Sequence, residues 1–454
     1  MNERALTNTA EIALVSGIVV SALFFGGTEP VSFAAVEVLF FGTAAWIVAN
    51  RATAPVPRPT IFFAVPTLIA VWAFLQTGPL SAELPRVITG HRAGASAAAV
   101  LSRAPYRTRV EFLILLTCLI GFFLTVCVTG DRKRKRRLVY VLVALALAEA
   151  FYGLVQYLGN WQTIWWYSKK YDLAEATGTY INRNHFAGLL EMILPFAVCL
   201  AFYEAEKRTL SHPRRGRPSG KADQTISSVS LWLAVAVVLV ASLVFSRSRM
   251  GLLAAIASLI VMFSLSALQR RMVPVAIGFA LLILSLGLAG WIGLRPALTR
   301  FEDLAQEMPG QQATRLSIWP GTLELIAEHP LMGNGLGTFP VAYTPYQTSF
   351  VTKFVNHAHN DYLELASDLG IPAALVLFGS VVWVLGGAMR TFFRAESRFE
   401  KNLSLACVGS IVAILLHSLT DFNLYIPANA LIFAVILGLA STATARTRQP
   451  ETQS

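Results

Sequence analysis

Charge is what this sequence has least of. Asp, Glu, Lys and Arg make up 14% of its 454 residues, against about 25% in a soluble domain, and its mean hydropathy is +0.57. So little charge cannot cover a water-facing surface, which excludes a soluble globular enzyme and puts the chain in a bilayer. Cysteine is scarce too. Cys118, Cys127, Cys199 and Cys407 all lie inside apolar runs, which excludes a disulfide framework and a thiolate metal site and leaves them as packing residues. A phosphate-cradling loop is also missing. Gly333-Asn334-Gly335-Leu336-Gly337 has the glycines, but it lacks the preceding strand and the Lys, so it reads as a helix stop and turn.

What the sequence has in abundance is long apolar runs. A span needs about 20 apolar residues to cross roughly 30 Å of hydrocarbon. Twelve runs meet or approach this length, at 9–27, 33–50, 59–77, 109–129, 138–158, 185–203, 228–246, 250–267, 273–292, 370–388, 403–421 and 426–442. The first is preceded only by Arg4 and followed at once by another run, which suits a retained anchor better than a cleaved signal peptide. Most Lys and Arg fall in the connectors 51–58, 131–137, 204–227, 269–271 and 390–401. Arg132-Lys133-Arg134-Lys135-Arg136-Arg137 alone assigns that side to the cytoplasm. Such a run can also mark nucleic-acid binding, but between two spans it is explained by topology and anionic lipid, so no nucleic-acid partner is expected. The net charge of +11 is therefore mainly an orientation signal.

The expected fold is an all-α integral membrane protein of about twelve transmembrane helices, with one large outer loop at 293–369 that contains short amphipathic helices. Residues 1–137 form the first four spans, 138–442 the remaining core with its loop, and 443–454 a cytoplasmic tail.

Residues able to do chemistry gather at the outer ends: Arg183, His185, Arg247, Arg249, Arg315, His357, His359 and Asp421. Near mid-membrane there are chiefly Glu149 and Glu191, whereas an ion-coupled transporter places its site at the midplane. Arg247 and Arg249 share a connector of a few residues, where they either snorkel to lipid headgroups or grip phosphate. Arg315 opens an apolar-periodic segment that suits a surface helix, with Pro320 starting or kinking it. Asp361-x-x-Glu364 has the spacing of a capping box. For His357 and His359, a metal site lacks a third ligand, and general base and packing residue stand level. Glu149, Gln156 and Glu191 suit hydrogen bonds between helices.

Together, Gly178-Thr-Tyr-Ile-Asn182-Arg183-Asn184-His185-Phe-Ala-Gly188, Ser248-Arg249-Met-Gly-Leu-Leu253, Arg315 with Trp319, Glu328 to Gly337, His357-Ala-His359-Asn360-Asp-Tyr-Leu-Glu364 and His417 to Asn429 resemble the O-antigen ligase and O-antigen polymerase superfamily. The resemblance spans roughly 140–440. It implies a C-type glycosyltransferase of a bacterial inner membrane, its active site facing the periplasm, which uses an undecaprenyl-diphosphate-linked glycan as donor and needs no metal or other cofactor. On this reading His359 is the base, with His357 able to share or exchange that role. Arg249 and Arg315 contact the diphosphate, with Arg247 and Arg183 beside them. Asn182, Asn184, His185, Asn360 and Asp421 support the site. The implied acceptor is lipid A-core for a ligase and a growing polysaccharide for a polymerase. A polyisoprenoid-glycan transporter would bind the same head group without needing a base.

Overall fold

The computed structural model describes residues 3–50, 61–78, 101–210, 220–271, 283, 287, 315–347 and 354–446. The helices are α1 (Glu3–Leu23), α2 (Pro30–Ala49), α3 (Ile61–Leu75), α4 (Pro105–Val128), α5 (Arg132–Leu158), α6 (Arg183–Leu210), α7 (Gly220–Phe245) and α8 (Arg249–Leu268). The long loop after α8 supplies α9 (Arg315–Glu328), α10 (Phe339–Ala342) and α11 (Asp361–Leu369), and α12 (Ile371–Arg394), α13 (Arg398–His417) and α14 (Pro427–Arg446) follow. A small hairpin, β1 (Thr163–Ile164) with β2 (Tyr167–Ser168), lies between α5 and α6.

Among the described residues nine helices are long and apolar enough to cross a membrane, and Ala64–Leu75 and Pro427–Ala443 are shorter apolar helices. These fall on eleven of the twelve runs expected from sequence. The run 273–292 and the loop portions 293–314 and 348–353 lie outside the described residues, apart from positions 283 and 287.

Local chemistry sets the helix starts. Proline stands in the first turn of α2, α4 and α12, where the absent N–H costs nothing. Asp131 caps α5 by accepting from Lys133 N at 3.2 Å, and Ser248 caps α8 by accepting from Gly251 N at 3.3 Å. The α6 helix is the axis of the bundle, its apolar window entirely buried. It packs on α7, α8 and α13, and Gly188 lets it approach the turn after α13: a Cβ there would stand 2.3 Å from Asn423 Oδ1.

The basic run at 132–137 is also structural. Lys135 is fully buried and donates to both oxygens of Glu400 at 3.1 Å, while Arg134 reaches Glu11 at 2.6 Å. These pairs tie α5 to α13 and α1.

The described loop folds down onto the bundle. The α9 helix runs through Pro320 and buries Ile318 and Leu325 against Phe339, Tyr343, Val355 and Ala358. Gln76, just past α3, donates to Met332 O at 2.9 Å and Asp368 O at 3.1 Å, and its Oε1 accepts from Leu336 N at 3.1 Å. Gly337, with φ of 73°, approaches α4 so closely that a Cβ would stand 2.2 Å from Glu111 Cγ. The glycine turn is thus a stop that seats the loop on α3 and α4.

Candidate functional site

A cavity of about 840 Å³ opens where the starts of α4, α6 and α14 meet the α1–α2 turn and the long loop. His185, His357, His359, Asn182, Glu364 and Phe422 line it, with Arg107, Glu111 and Glu37 on the facing helices. Phe422 is its hub. The His357 ring stacks flat on it at 3.8 Å between centroids, while His359 and His185 meet it edge-on at 5.0 and 4.7 Å.

The irregular segment before α11 positions the two loop histidines. Ala358 is fixed on both sides, its N–H donating to Glu364 Oε2 at 2.8 Å and its carbonyl accepting from the Trp319 indole at 3.1 Å. His359 then adopts φ of 51°, a left-handed conformation that β-carbon sterics disfavour and that surrounding contacts must hold. Its Nδ1 is buried, 4.0 Å from Asp421 Oδ1, yet the side chain keeps 33% exposure. A proton on Nδ1 faces that carboxylate and leaves the Nε2 lone pair toward the cavity. Burial pushes the imidazole down to about 4, against the upward pull of Asp421, so the ring is neutral at pH 7.

His357 differs. Its Nδ1 lies 2.7 Å from Glu364 Oε1. Burial lowers this imidazole to about 4 and holds the Glu364 carboxyl well above its usual range, which favours a neutral pair. The carboxyl then donates to Nδ1, and His357 offers an N–H at Nε2 rather than a lone pair.

Asp421 is fully buried and collects the site's charge. It accepts from Arg315 Nη2 at 3.0 Å and from Phe422 N at 2.9 Å, with His185 Nε2 at 3.6 Å. Burial works to raise its carboxyl, but His185, Arg315 and His417 together hold it well below the usual carboxylate range. Its neighbour Asp361 accepts from Ser418 Oγ at 2.6 Å and is pushed up by burial.

The remaining sequence candidates divide. Arg183 donates to Glu175 at 2.7 Å, and Arg247 stands 3.8 Å from the same carboxylate. Arg249 opens α8, exposed, at a corner packed on α6: a Cβ at Gly251 would stand 2.6 Å from Ala187 Cβ. Asn182 accepts from Asn184 N at 2.8 Å at the start of α6. Asn360 caps α11, accepting from Tyr362 N and Leu363 N at 3.0 and 3.1 Å. The Asp361-x-x-Glu364 spacing therefore does not make the cap, because both carboxyls are claimed from outside the helix. Glu149 accepts from Thr179 Oγ1 at 2.6 Å, Gln156 donates to Thr163 O at 3.1 Å, and Glu191 joins α6 to His417 of α13 at 3.0 Å.

Sequence reasoning missed Phe422, Glu175, Arg107, Glu111 and Glu37, and it gave Glu364 only a capping role. Phe422 was within reach of it, since it follows Asp421 in a segment rich in polar residues. Among the described residues, no three His, Cys, Asp or Glu side chains are grouped to hold a metal ion.

A helical bundle with nine candidate spans among the described residues and a histidine-lined cavity defines a multi-pass, all-α membrane protein. The family model for O-antigen ligase matches residues 234–378, and this stretch of the chain is O-antigen ligase-like. That stretch contains Arg247, Arg249, Arg315, His357 and His359 and ends before Asp421. It marks a membrane enzyme of the ligase and polymerase type. A search of curated proteins finds no match.

Proposed function

We propose that this protein transfers a glycan from an undecaprenyl-diphosphate carrier to an acceptor hydroxyl at the periplasmic face of a bacterial inner membrane, with lipid A-core as acceptor. The observation that carries the reading is the arrangement around Asp421, which sets Arg315 and His359 on one carboxylate beside the cavity. In the reaction the acceptor oxygen forms a bond to the anomeric carbon as the bond from that carbon to the phosphate oxygen breaks. His359 Nε2 takes the hydroxyl proton, and the diphosphate leaves with the bonding pair. Arg315 keeps 35% of its side chain exposed while Asp421 holds one of its nitrogens, so the guanidinium is aimed yet open to an anion. Arg249 is the second diphosphate contact. Arg183 and Arg247, which share Glu175, stand behind it, and the Asn182 and Asn360 caps fix the helix starts.

Alanine at Arg249, Arg315 or His359 should each lower transfer by about 10² to 10³ while membrane insertion persists. Near-normal turnover in all three sinks the assignment. Deletion in the native host followed by glycan electrophoresis separates the branches. Free lipid A-core with accumulated lipid-linked polymer supports a ligase, and single repeats alone indicate a polymerase. Purified protein that translocates lipid-linked glycan without forming product would indicate a transporter.

A further inference from the structure

One face of α4 changes character along its length. Arg107 stands in its first turn at the cavity, and Glu111 follows one turn further. Ile114, Leu115, Cys118 and Phe122 continue the same face into an apolar crevice of about 180 Å³ between α3, α4, α12 and α14. The spacing of three and four residues keeps them on one stripe. From Arg107 to Phe122 that stripe runs roughly 22 Å at about 1.5 Å per residue, most of a hydrocarbon core. Cavity and crevice are continuous, because Glu111, Ile114 and Tyr425 line both.

Arg107 is also the one Lys or Arg in the described lining of the cavity. Arg315, Arg183 and Arg247 each stand within 4 Å of a carboxylate oxygen. Among the described residues no hydrogen bond or salt bridge within 4.0 Å occupies Arg107, which is exposed, although it interacts electrostatically with Glu111 one turn on and with His357.

From this we infer that the α4 stripe is the seat of the lipid carrier: Arg107 binds the anionic head group at the mouth, and the hydrocarbon chain lies in the crevice below. A cation above an apolar trough matches an amphiphile with a phosphate head. Its continuity with the cavity brings that head to the wall opposite His357 and His359. The inference rests on the transferase reading for the identity of the lipid, but the seat itself is read from α4.

The test is binding of undecaprenyl diphosphate, undecaprenol and phosphatidylglycerol to the purified full-length protein in phosphatidylcholine nanodiscs. Arg107→Ala, at an exposed position, should weaken undecaprenyl diphosphate about tenfold or more and leave undecaprenol unchanged. Leu115→Trp, which fills the crevice, should weaken both, with thermal unfolding reporting whether the variant is folded. Wild-type affinity for undecaprenyl diphosphate together with an Arg107→Ala variant that binds it equally well overturns the inference and leaves the transferase reading intact. A wild type that binds phosphatidylglycerol as well as undecaprenyl diphosphate removes the carrier reading itself, and this seat with it.

Discussion

Replacing Asp421 by Asn tests the electrostatic centre of the site. The carboxylate is fully buried and accepts from Arg315 at 3.0 Å. Breaking a buried pair by removing one partner costs about 3–5 kcal/mol, but Arg315 is 35% exposed and can turn to water, which places the loss nearer about 2–3 kcal/mol. The effect on rate runs through His359. Where a carboxylate orients a catalytic imidazole by direct hydrogen bond, removing it costs about 10⁴. Here the separation is 4.0 Å, so a loss of about 10² to 10³ in kcat is expected. The pH profile supplies a second readout. His359 must be neutral to accept a proton, so kcat/KM should fall on acidification with a midpoint near about 4, well below the ordinary imidazole value. Asp421 pulls that midpoint upward, so Asp421→Asn should move the acid limb to lower pH while lowering the plateau. The assay is transfer by purified protein across a pH series, with circular dichroism to follow folding. A plateau within twofold of wild type, or a limb that moves toward pH 6.5, would refute the argument.

The two loop histidines should separate. His359→Ala should lose transfer by about 10² or more, whereas Glu364→Gln should retain most of it, since the amide can still accept from Ala358 N and donate to His357 Nδ1. A collapse of Glu364→Gln to the level of Glu364→Ala would show that an ionised carboxylate is needed there. Both imidazoles sit near about 4 in the fold against about 6.5 in the unfolded chain, so the unfolded state takes up protons first. Stability should therefore be complete above pH 6.5 and decline as pH falls toward 4, as read by thermal melts; a site contribution that grows on acidification would contradict it. Gly337→Ala, at φ of 73° and with its Cβ 2.2 Å from Glu111, should destabilise by about 1–3 kcal/mol, seen as a lowered Tm.

The bundle was legible in the sequence because bilayer thickness forces apolar runs of a set length, and no distant contact is needed to recognise one. The pairings were not legible. Lys135 and Glu400 lie 265 residues apart, and their contact makes part of an orientation signal into a helix clamp. Asp361 and Glu364 had capping spacing, but spacing within a helix says nothing about what faces it from outside. Ser418 claims Asp361, His357 claims Glu364, and Asn360, one residue earlier, takes the cap. Arg315 and Asp421 were each recognised as outer polar residues, yet their 3.0 Å contact across 106 positions exists only once the loop folds back. Arg183 and Arg247 are drawn to Glu175 for the same kind of reason.

The carboxyls around the cavity are treated in opposite ways, and that difference bears on the chemistry. Burial holds Asp361, Glu364 and Asp368 well above their usual range, while Asp421, equally buried, is held well below it by His185, Arg315 and His417. At neutral pH one of these four carries a negative charge. That charge is spent inward, on Arg315 and the Nδ1 side of His359. Four ionised carboxylates would repel an anionic head group approaching the same wall, whereas three neutral carboxyls and one compensated carboxylate leave the field there to Arg107 and the open part of Arg315, set against Glu37 and Glu111 in the cavity lining. Environments that drive like groups apart in pKa mark a division of roles: here a single fixed charge aims a base and a cation, and the protonated carboxyls build the frame around them.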